Sequence, residues 1–94
     1  MNATAIVMLQ NEFKAAVNCK DNWNEDGINW DYVDADCFHA VMSHLPGAVY
    51  TKLFDELAYF FERKYGAGIK TLEAKLALDA RIDAEYKELF GKAA

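Results

Sequence analysis

Proline occurs once in this chain of 94 residues and cysteine twice, at Cys19 and Cys37. With a single proline, little stands in the way of long helices. The cysteines form no C-x-x-C pair, which argues against the common zinc frameworks. Serine also occurs once, as Ser43, and no glycine-rich phosphate loop, nucleophile elbow or kinase-type signature is present. No apolar run of about 18 uncharged residues is present to span a bilayer. The opening MNATAIVMLQNEF lacks the basic lead and long apolar stretch of a secretory signal. Free thiols and no signal are the pattern of a reducing compartment, so a cytoplasmic protein is expected.

Apolar and aromatic residues are abundant: 53% of the chain is apolar, with two Trp, five Tyr and six Phe. That is too much for disorder and enough for one core, so residues 1–94 are read as one domain. Charge is the most informative feature. The net charge is −5, from ten basic and fifteen acidic side chains. Residues 37–94 balance, with eight acids and eight bases, and residues 1–20 carry a net +1. The negative excess therefore sits in residues 21–36, DNWNEDGINWDYVDAD, where Asp21, Glu25, Asp26, Asp31, Asp34 and Asp36 meet no Lys or Arg. An acidic balance argues against direct binding of nucleic acid or an anionic membrane.

Hydrophobic periodicity predicts an all-α bundle of about four helices. Ile6, Leu9, Phe13 and Val17 mark a first amphipathic helix over 3–18, with Asn2 or Thr4 as its cap. The stretch 21–33 breaks that period. Asp26-Gly27 signals a turn, and Ile28, Trp30 and Tyr32 alternate with polar residues, as in an ordered loop holding a short extended piece or tight hairpin. Asp34 is the expected N-cap of a helix over 35–45 with Phe38, Val41, Met42 and Leu45 as its apolar face. Pro46 opens a helix over 47–65 whose apolar positions wrap most of its circumference, making it the expected centre of the fold, and Gly66 ends it within the turn Gly66-Ala67-Gly68. A last helix over about 69–90 carries Ile69, Leu72, Leu76, Leu78, Ile82, Tyr86 and Leu89, with Arg81–Glu85 and Asp83–Lys87 spaced i,i+4 on a solvated face.

Chemistry is sparse in this pattern. Cys19, Cys37, His39 and His44 read as small thiols and surface imidazoles. Asn22, Asn24, Asp26 and Gly27 match positions one, three, five and six of a calcium loop, but Val33 stands where the bidentate Glu belongs. No metal, cofactor or catalytic residue is expected, and the protein is read as a non-enzyme. Binding is better supported. Trp23, Trp30 and Tyr32 lie among the acids, and aromatic anchors ringed by carboxylates suit a basic protein surface. Asp21, Trp23, Glu25, Asp26, Trp30, Asp31, Tyr32, Asp34 and Asp36 form the expected partner-binding set. They are too sparse to imitate a duplex: one charge per about 4 Å when helical, against about 1.7 Å along DNA.

In size, acidic clustering over Asp21–Asp36 and freedom from catalytic motifs, the chain resembles the small acidic inhibitors of phages and mobile elements, of the anti-CRISPR or anti-restriction type. The resemblance implies a stoichiometric inhibitor, working in the cytoplasm of a bacterial host cell and docked on the nucleic-acid-handling surface of a CRISPR–Cas or restriction complex. The alternative is a structural or regulatory homo-oligomer, in the simplest case a homodimer, associating through the aromatic helix 47–65 where Tyr50, Phe54, Phe61 and Tyr65 exceed what one chain can cover.

Overall fold

The computed structural model describes residues 3–66 and 68–91. Four helices carry the fold: α1 over Ala3–Val17, α2 over Trp30–Val41, α3 over Gly47–Tyr65 and α4 over Leu72–Gly91. The all-α bundle is as expected, with one small addition. A 3-10 turn over Lys20–Asn22 leads into a two-residue antiparallel ladder, β1 (Trp23–Asn24) on β2 (Gly27–Ile28), with Trp23 opposite Ile28 and Asn24 opposite Gly27. The acidic loop is thus a tight hairpin. Asn24 Oδ1 accepts from the Asp26 amide at 2.8 Å, and Gly27 takes φ +122°, a backbone that disfavours any side chain. Of the two residues proposed to cap α1, Asn2 lies outside the described residues, as does Ala67 of the turn after α3.

The second helix begins five residues earlier than its sequence pattern suggests. Asp34 does not cap it; Asn29 does, its side-chain oxygen accepting from the amides of Asp31 and Tyr32. Trp30, Val33, Cys37 and Val41 recur at helical spacing, but the apparent alternation of Ile28, Trp30 and Tyr32 hides the start of that run. The earlier start also resets the buried face. Val33, Cys37 and Val41 are sealed, whereas Phe38 and Met42, expected on the core face, are exposed. Replacing Asn29 by Ala should lower stability by about 1 kcal/mol, read as a shift of the urea midpoint at constant m-value.

The core lies between α1 and α2 rather than around α3. Its most enclosed side chains are Leu9, Val33, Val41 and Cys37, while α3 contributes Tyr50, Phe54 and Phe61 from one side. Burial pushes the Cys37 thiol up to about 12, helped by the charges of Glu12, Asp36 and Asp34, so it stays a protonated packing group. Asn22, also buried, donates from Nδ2 to the Ala16 carbonyl at 2.9 Å and to Asp36 Oδ2 at 3.0 Å. It ties the end of α1 to α2 instead of facing a ligand.

Gly66 ends α3 with φ +74° and its amide on Glu62 O. Thr71, overlooked in the sequence, starts α4 by accepting from the Ala74 amide at 3.1 Å. Only the first half of α4 is docked. Lys75 is its sole buried residue among those described, and every residue from Ala80 to Gly91 is exposed. The molecule is correspondingly flat, 43 × 37 × 19 Å, with a radius of gyration of 15.0 Å where a compact chain of this length has about 12 Å. No described helix is long and apolar enough to cross a membrane.

Candidate acidic interface

The acidic window folds as the hairpin and the first two turns of α2, and all six of its carboxylate residues are exposed. None of the six forms an ion pair among the described residues. Their surroundings differ. Asp36 accepts from Asn22, and Asp34 Oδ1 accepts from the Tyr50 hydroxyl at 2.5 Å. Burial, together with the hydrogen bond and charge of Asp34, raises the Tyr50 pKa, so that phenol remains a donor. Asp21, Glu25, Asp26 and Asp31 extend into solvent from the 3-10 turn, the hairpin tip and the opening of α2.

The three aromatics divide. Trp23 donates from Nε1 to the Val17 carbonyl at 2.9 Å and tilts against Phe61, which commits it to packing. Trp30 stacks on Phe13, with ring centroids 6.1 Å apart, and meets Phe54 and Phe61 edge-on. Its Nε1 donates to Glu62 Oε1 at 3.1 Å. Both tryptophans are half-buried; Tyr32, 57% exposed, is the one free aromatic of the set. The three aromatics thus differ in how much surface they show. Two hold the hairpin and α2 onto the core with one edge showing, and Tyr32 stands out from the surface.

Around that visible edge of Trp30 the structure brings in residues from α3 that the linear window did not contain. A shallow hollow of about 420 Å³ is lined by Trp30, Phe54, Asp55, Ala58, Tyr59 and Glu62. A second, of about 190 Å³, shares Trp30 and Glu62 and adds Asp26, Gly27, Ile28, Phe61, Gly66 and Ile69. The charged side chains lining the two are all carboxylates: Asp26, Asp55 and Glu62. The signal for the α3 contribution was present. Asp55, Tyr59 and Glu62 are spaced four and three apart and so share one helix stripe, but the charge balance of residues 37–94 concealed them. Arg63 borders the site from above the Tyr59 ring, 5.7 Å from its centroid.

The arrangement offers part of the Trp30 ring beside carboxylates in a concave surface, which suits a guanidinium or ammonium group. It supplies no nucleophile–base pair. His39 and His44 are exposed on and just after α2, and no cluster of three metal-ligating side chains occurs among the described residues. Of the aromatics set aside for a dimer of helix 47–65, Tyr50, Phe54 and Phe61 are buried within the chain and Tyr65 is half-buried. One copy covers them. No protein-family model, no curated protein and no solved structure matches this chain.

Proposed function

We propose that the protein is a non-enzymatic binding inhibitor that docks this acidic surface onto a basic, nucleic-acid-handling surface of a bacterial defence complex, in the manner of anti-CRISPR proteins. The observation that carries the reading is the pair of adjoining hollows sharing Trp30 and Glu62, whose charged lining is carboxylate only. An Arg or Lys of the partner would enter beside Trp30 and pair with Glu62 or Asp55. Asp21, Glu25, Asp26, Asp31, Asp34 and Asp36 would steer the approach, and Tyr32 would supply exposed contact area.

The test is a tagged capture from nuclease-treated bacterial lysate, washed at rising salt and compared with the double variant Asp26→Lys, Asp31→Lys. Both positions are exposed, so the variant should keep its helical content and melting temperature. Capture of a nucleic-acid-processing complex that salt releases, reduced about tenfold or more by the variant, is the expected result. Equal capture by the two proteins sinks the reading.

A further inference from the structure

The outer half of α4 carries an apolar stripe with nothing beneath it. Ile82, Tyr86, Leu89 and Phe90 continue the face by which Leu72, Lys75 and Leu78 dock, but the body ends beyond Ile82. Tyr86 is 61%, Leu89 73% and Phe90 59% exposed, and the stripe from Ile82 to Phe90 runs over roughly 12 Å of helix. Phe60 of α3, 63% exposed, lines the same groove as Ile82 at the root of the projection.

We infer that this stripe is the contact surface of a homodimer in which the outer halves of two α4 helices pack antiparallel. Two observations select a second copy of this chain as the occupant. The first is area. With about 200 Å² for a large side chain, Phe60, Ile82, Tyr86, Leu89 and Phe90 expose about 500–600 Å² of apolar surface. A standard interface buries about 800 Å² per partner, of which about 65% is apolar in homodimers, so about 520 Å² is needed. The stripe together with Phe60 of α3 supplies that amount, at the top of the range for the largest patch on a monomer.

The second is self-complementary charge. A two-fold axis near Glu85 sets Asp83 of each copy opposite Lys87 of the other on one flank, and brings Ile82, Tyr86 and Leu89 together between the helices. On the other flank Arg81 lies one turn before Glu85 and balances the two Glu85 carboxylates that meet at the axis. Neither Asp83–Lys87 nor Arg81–Glu85 closes as an ion pair within the chain. A repeated surface that matches itself under a two-fold rotation is what an isologous dimer requires. Apart from Phe60, this surface lies outside the helix 47–65 interface expected from sequence, and the inference does not depend on the acidic site.

Light scattering after size-exclusion chromatography, on the full chain from about 1 to 200 µM, tests it. The expected mass approaches twice 10.6 kDa with rising concentration, with a micromolar or tighter constant. Leu89→Asp, at an exposed site that leaves the fold intact, should weaken dimerisation at least about thirtyfold at unchanged far-UV circular dichroism. Asp83→Lys and Lys87→Asp should each weaken it about five- to tenfold, and the double exchange should restore it. A mass of 10.6 kDa throughout, or a dimer indifferent to Leu89→Asp, overturns the interface. A Leu89-dependent dimer that the double exchange fails to restore overturns the antiparallel register.

Discussion

Replacing Lys75 by methionine should release α4 from the body, because this lysine is the polar core of the docking. Its Nζ is held in a site where the residue is 4% exposed, donating to Asn18 Oδ1 at 2.5 Å and to Asp79 Oδ2 at 2.8 Å. It also lies 5.1 Å from the Tyr65 ring centroid, and Tyr65 in turn donates to Asp79 Oδ1 at 2.6 Å. One ammonium thus joins α3 and α4 to Asn18, just past the end of α1. Methionine keeps the apolar stem but strands the Asn18 oxygen and half of the Asp79 carboxylate. Removing one member of a buried pair costs about 3–5 kcal/mol; Asp79, with 28% of its side chain exposed, recovers part of its hydration, so about 2–3 kcal/mol is expected. Amide exchange in α4 should accelerate by about thirty- to a hundredfold while α1 and α2 keep their protection. Uniform acceleration across all helices, or none, would show that α4 is not held here.

The same network sets an acid dependence. Burial alone would raise the Asp79 pKa, but the bonds from Lys75 and Tyr65 and the charges of Lys75 and Lys64 outweigh it and hold the carboxyl below its ordinary 3.8. A carboxylate with a lowered folded pKa contributes stability that is present above 3.8 and lost as pH falls through the folded value. α4 should therefore undock in acid below that range, and Lys75→Met should flatten the slope.

Much of this architecture was legible in the residues. The ends of α1 and α3 follow from a clean 3.6 period and from Pro46 and Gly66, whose backbone preferences are local. The start of α2 was not legible. Asn29 is as good a cap as Asp34, and the choice depends on Trp30 and Val33 finding Phe13 and the α1 face, which are distant in sequence. The stripe on α4 could be read, but not which half of it is covered, since that depends on how far the body extends. The acidic window was visible as composition; the concave site was not, because Asp55, Tyr59 and Glu62 join it only through the packing of α3 beside Trp30.

That placement makes Trp30→Ala the other substitution with a large expected effect, and it separates the two roles of the residue. If Trp30 were a free anchor, its removal would abolish partner binding and leave the monomer untouched. Here its ring lies against Phe13, Phe54 and Phe61, with the Phe61 centroid 5.2 Å away. Truncating a core tryptophan costs about 3–5 kcal/mol; Trp30 is half-buried, so about 2–4 kcal/mol is expected. A domain of 94 residues has about 5–14 kcal/mol to lose, and each kcal/mol moves the midpoint by about 4–8 °C. The melting temperature should fall by at least about 8 °C. A shift under about 2 °C would put the indole outside the core. Loss of partner binding in Trp30→Ala therefore reports on folding as much as on contact. Tyr32→Ala, at an exposed ring on the same helix, is the variant that isolates the contact: it should weaken capture of a partner while the melting temperature holds within about 2 °C.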